Sequence, residues 1–165
     1  MKKVVILLVL GVFFSISCEK KEPEPQVSKA IDITNVQYIR RFGHYKEIQQ
    51  PIISVISARS ELNQYYETHV KCIYGYNDGQ FKEATKIYSN DFFANNFLVI
   101  VLLEEGSGSI SHKVERIDRN GDIVINRFIP EVGTCDMAEW NIVIELNNDF
   151  KLEQYRVVLV DNVPE

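Results

Sequence analysis

The chain reads as an α+β domain, a mainly antiparallel, sandwich-like sheet with one or two short helices. Three observations predict it. Residues 97–103, FLVIVLL, form an unbroken apolar run of strand length between Asn95-Asn96 and Gly106, as expected of a central strand covered on both faces. Asn120-Gly121 separates two apolar-bearing runs and is the strongest hairpin signal in the chain, since a type I′ turn needs positive φ at both central residues. Trp140, Ile142, Ile144 and Leu146 alternate with Asn141, Val143 and Glu145, which is the period of a half-buried strand.

Residues 31–40 and 51–57 predict two early strands. Ser57 is then placed to cap a short helix on which Leu62, Tyr65 and Tyr66 share a face. Phe81, Ala84 and Tyr88 recur at helical spacing and predict a second helix over 80–88. Around Asn120-Gly121 the hairpin joins 110–118 to 123–129. A regular register puts Ile110, His112, Val114, Ile123, Ile125 and Ile129 on one side, but Arg116 and Arg127 with them. That conflict predicts a bulge or an open edge. Residues 156–160 supply the strand that closes the sheet.

Ahead of this domain, residues 1–17 have the three parts of a secretory signal: Lys2 and Lys3, an apolar run over 4–14, and small residues up to Ser17. The apolar run is too short to span a membrane, which takes about 20 residues. Cys18 follows directly, and its thiol is the acceptor expected in a bacterial lipoprotein, although Ser15 stands where such signals usually carry Leu. An uncleaved anchor and ordinary secretion are the alternatives. Residues 18–29, charged and proline-bearing, read as a lipidated tether to a single domain over 30–165. The expected location is the cell envelope, on the outer side of the cytoplasmic membrane or in the outer membrane, with the N-terminal lipid as the contact. Two or three acyl chains hold where one binds only marginally.

Without Lys2 and Lys3 the basic residues number 16 against 23 acidic, a formal charge of −7. That sign argues against nucleic acid as a partner, because phosphate binding calls for clustered Lys and Arg. Cys72 and Cys135 are candidates for a disulfide in an oxidising compartment, with two unpaired thiols as the alternative.

Chemistry is concentrated in 131–140, EVGTCDMAEW, expected to be one loop between strands. Asp136 and Glu139 offer charge and Met137 and Trp140 apolar anchors, so these four are the candidate partner-binding residues. Cys135, Asp136, Glu139 and His112 are metal ligands by type, but their spacing matches no metal motif, and His44, His69 and His112 are the only histidines. A Cys135 nucleophile with His112 as base is the corresponding thiol-hydrolase reading. The GSGS turn after Glu104-Glu105 lacks the strand-to-helix context of a phosphate loop and reads as a tight strand connection. Tyr65, Tyr66, Tyr74 and Tyr76 form either an aromatic surface or core packing. No cofactor motif is present.

FFANNFLVIVLLEEGSGSISHKVERI, residues 92–117, and PEVGTCDMAEW, residues 130–140, resemble a family of small, uncharacterised bacterial lipoproteins. The likeness runs over 36–146 and is weakest over 68–81. From residue 92 onward the chain is more distantly similar to the C-terminal domain of PrcB-type protease-complex subunits. The resemblance implies a non-catalytic accessory role, such as docking or stabilising a surface protease, and supplies no catalytic residues. Two functions are therefore expected to compete: a membrane-anchored binding or accessory module, and an envelope hydrolase, metal-assisted or thiol-dependent, built on His112 and the 131–140 loop.

Overall fold

The computed structural model describes residues 30–42, 51–71 and 78–164. The signal segment, Cys18, the tether, His44, Cys72, Tyr74 and Tyr76 lie outside the described residues. The architecture is α+β in three layers. Strands β1 (Asn35–Phe42), β2 (Ile52–Ile56), β3 (Asn96–Glu105) and β6 (Ala138–Asn147) form one sheet in the order β1-β6-β3-β2, with every neighbouring pair antiparallel. A smaller sheet, β4 (Ser111–Ile117), β5 (Asp122–Phe128) and β7 (Arg156–Asn162), packs on one face of it. Helices α1 (Arg59–Tyr65), α2 (Asp78–Thr85) and α3 (Asn90–Asn95) cover the other.

Strand parity sorts the core into two layers. Phe97, Val99, Val101 and Leu103 of β3 join Ile142, Ile144 and Leu146 of β6 against Val114, Ile117, Ile123 and Ile125 of the small sheet. Leu98, Ile100 and Val143 point the other way, onto Leu62, Tyr65, Phe81, Tyr88 and Phe93. β3 is thus covered on both faces, as its unbroken apolar run predicts. β6 is not half-buried as its alternation suggests: Asn141, Val143 and Glu145 are buried too, under the helices. Polar residues on that face signal a polar contact layer rather than solvent.

The small sheet explains the misplaced arginines. Register slips between Val114 and Arg116, so Glu115 is an extra residue in β4. Beyond the bulge the inward position passes from Arg116 to Ile117, which is fully buried. The reversal after β4 is a three-residue loop, 119–121, rather than a two-residue type I′ turn. Asp118 N–H donates to the Asp122 carbonyl at 2.9 Å, and Gly121 N–H to the Asp118 carbonyl at 2.8 Å. Gly121 takes φ +91°, and a Cβ there would collide with the Gln154 carbonyl oxygen. β7 closes this small sheet by pairing parallel to β5, not antiparallel.

The helices differ from expectation at their ends. Ala58, not Ser57, is the N-cap of α1 and offers no capping oxygen; Glu61 instead accepts from Ser57 N–H at 2.7 Å. The chain then continues into a π-helical turn, Tyr66–Val70, closed by Lys71 N–H donating to the Tyr66 carbonyl. α2 stops at Thr85, and Tyr88 is buried from the turn beyond it. α3 was not anticipated, although Ser89 caps it by accepting from Phe92 N–H.

Candidate functional site

At the end of β3 the odd positions that bury Phe97 to Leu103 carry Glu105 inward as well, where it is 3% exposed. Arg127 of β5 meets it with a two-pronged contact, Nε to Oε1 at 2.9 Å and Nη2 to Oε2 at 2.6 Å. His112 Nε2 lies 2.8 Å from Oε1, and the other side of Arg127 donates to Asp161 at 2.8 Å. Burial alone would raise the Glu105 pKa, but the hydrogen bonds from His112 and Arg127 outweigh it and hold the carboxyl below its ordinary value. Glu105 is therefore an acceptor, held between His112 and Arg127. The His112 ring meets Trp140 edge-on at 5.1 Å between centroids.

Next to this network the β3–β4 turn and the 129–137 loop lie against each other. Gly108 N–H donates to the Asp136 carbonyl at 2.8 Å, and the Asp136 carboxylate holds Arg40 of β1 at 2.6 Å. A Cβ on Gly108 would overlap both charged groups. The Thr134 hydroxyl, followed by the Gly108 backbone and the Arg40 charge, keeps Asp136 below the usual carboxylate range. Ser107, Ser109 and Thr134 tie the two loops further through their hydroxyls, Ser107 to Ser109 at 2.8 Å and Ser107 to Thr134 at 3.2 Å.

The four residues expected to form one partner surface are thus dispersed. β6 begins at Ala138, so Glu139 and Trp140 belong to a strand and point to its opposite faces. Glu139 is buried against Arg41, 3.3 Å away, and Trp140 packs between the sheets. Asp136 is half-buried in its pairing with Arg40, and only Met137 is open to solvent. Cys135 is exposed and in no disulfide. No hydrogen bond joins it to His112, whose side chain is enclosed. Among the described residues no group of three or more His, Cys, Asp or Glu is arranged to hold a metal ion, and no helix is long and apolar enough to cross a membrane.

This end of the sandwich exposes apolar side chains among polar ones. Phe128, Ile129, Pro130 and Val163 line a shallow groove with Ser109 and Ser111, and Val132, 85% exposed, and Met137 stand beside it on the neighbouring loop. Sequence reasoning missed this groove because its residues come from three separate segments. It lies at the opposite end of β4 from Ile31, which pairs with Ile117, a strand length of about 20 Å away. Comparisons with protein-family models, curated proteins and solved structures found no match.

Proposed function

We propose that the chain is a bacterial lipoprotein, anchored to the envelope through lipid on Cys18, whose domain is a non-catalytic binding and accessory module. Its partner is an envelope or surface protein, and the resemblance to PrcB-type subunits favours a protease that it docks or stabilises. One observation carries this reading. Glu105, His112, Arg127 and Glu139 near the loop are internally paired and largely enclosed, and the exposed Cys135 thiol has no hydrogen bond to His112, whereas Phe128, Val132, Met137 and Val163 remain exposed. Such apolar groups held on a rigid scaffold suit recognition. Ile31 lies at the end of β4 away from the groove.

The test is site-specific photocrosslinking of the full, anchored chain in its own cells. A probe at Val132 or Met137 should trap one discrete envelope protein, while a probe at Glu83, exposed on α2, traps none. Equal labelling from all three positions, or none, overturns the reading. The anchor is tested separately: Cys18→Ala should abolish acyl labelling and leave unprocessed precursor, and undiminished labelling refutes lipidation there.

A further inference from the structure

Among the described residues the outer edge of β7 pairs with no strand, and it differs from the edges of β4 and β2. Natural sheets guard exposed edges with charge, bulges, proline or brevity. Here β4 carries Lys113, Glu115 and a bulge, and its Val114 N–H is taken by the Tyr38 hydroxyl of β1 at 2.8 Å. β2 is five residues long and follows Pro51. β7 is seven residues in unbroken register with β5, and its middle, Val157-Val158-Leu159-Val160, has no charge and no proline. Leu159 and Val160 are 39% and 40% exposed.

The ladder bonds say which backbone groups face outward. Arg156 N–H donates to the Gly121 carbonyl at 2.9 Å, and the Asn162 carbonyl accepts from Ile129 N–H at 3.1 Å. In a parallel pair alternate residues bond to a given neighbour, so 156, 158, 160 and 162 serve β5. Residues 157, 159 and 161 turn their N–H and C=O groups to the open side.

We propose that this edge pairs with the β7 edge of a second copy of the chain, antiparallel about a two-fold axis at Leu159. The choice of occupant rests on self-complementarity. With the outward residues in register, Leu159 meets its own copy and Val157 meets Asp161. On the outer face Val158 meets Val160 twice, and Arg156 meets Asn162. Val158, Leu159 and Val160 face apolar residues, Val157 faces Asp161, and no like charges face each other, an arrangement compatible with a cross-strand pair. The product is a continuous six-stranded sheet with an isologous interface. This inference is independent of the partner proposed for the groove.

The experiment uses the full chain in detergent with Cys135→Ser as background. In a hydrogen-bonded antiparallel pair the Cα atoms lie about 5.5 Å apart, within disulfide reach. Leu159→Cys should therefore give a disulfide-linked homodimer under mild oxidation, and Ser111→Cys, on the far edge of the same sheet, should give no more than background. Sedimentation of the unmodified chain, corrected for bound detergent, should report twice the mass of the mature chain. Leu159→Lys, which sets like charges opposite each other, should weaken the dimer by on the order of tenfold. Leu159→Pro removes an outward N–H that β5 does not use, and should also yield a monomer with a circular dichroism spectrum that retains the fold. A monomer at all concentrations, crosslinking at 159 no greater than at 111, or an adduct with a different polypeptide in place of the homodimer would each overturn self-pairing.

Discussion

Glu105 is the residue on which the inter-sheet charge network turns. Its carboxylate takes Arg127 on both oxygens and His112 on one, so deleting it strands a buried histidine and a partly buried arginine. Glu105→Ala should cost about 3–5 kcal/mol in denaturant unfolding, the usual penalty for breaking such a pair. The pH dependence follows from the depressed pKa. Stability from Glu105 is complete above the unfolded value of about 4.3 and is lost as pH falls through the lower folded value. Glu105→Gln should flatten the acid limb of the stability curve, and an unchanged slope below about pH 4 means the carboxyl carries no such linkage. Much of this network was legible: Arg127 was marked by its conflict with the hairpin register. Glu105 was also within reach, because the parity that buries Phe97 to Leu103 carries it inward. What hid Arg41, Glu139 and Asn141 is that polar residues at alternate positions read as solvent-facing. Only the helix layer, with Tyr65 donating to Asn141 at 2.7 Å, reveals an internal polar seam.

At the level of elements, the bulge in β4 decides which side chains build the core. Because Glu115 is extra, Ile117 is fully buried and Arg116 is exposed; a regular strand would reverse the two. Ile117→Ala should therefore cost about 2–5 kcal/mol, whereas Arg116→Ala should stay within about 0.5 kcal/mol. Comparable losses at both sites in thermal or chemical unfolding would contradict the register. A second expectation concerns the turn. Gly121→Ala combines a positive φ with a collision against backbone, so it should cost more than the roughly 1 kcal/mol of a strained left-handed alanine. The need for a bulge was visible in the apolar pattern, and its position follows from keeping both Val114 and Ile117 inward. The parallel pairing of β7 was hidden. Direction depends on the path of the chain through 148–155, which carries no strand period.

On the scale of the whole molecule, the question is where the domain begins. Among the described residues, 31 is the first to contribute to the core: Ile31 is buried, pairs with Ile117 through a 2.7 Å hydrogen bond, and is followed by Ile33 packed on the same cluster. Neither belongs to β1, which begins at Asn35, so the strand expected over 31–40 starts later than its apolar pattern suggests. Burying one such side chain is worth about 1.5–3 kcal/mol, a large share of the 5–15 kcal/mol of a typical domain. A chain starting at Ser28 should therefore melt cooperatively at the temperature of the full chain. One starting at Asn35 keeps every strand yet loses both isoleucines and uncovers Ile117, and its unfolding midpoint should fall markedly. Restoring residues 31–34 alone should recover the difference. If the Ser28 form is instead molten, binding hydrophobic dye without near-ultraviolet dichroism, then the segment before residue 28 is part of the fold and not a spacer.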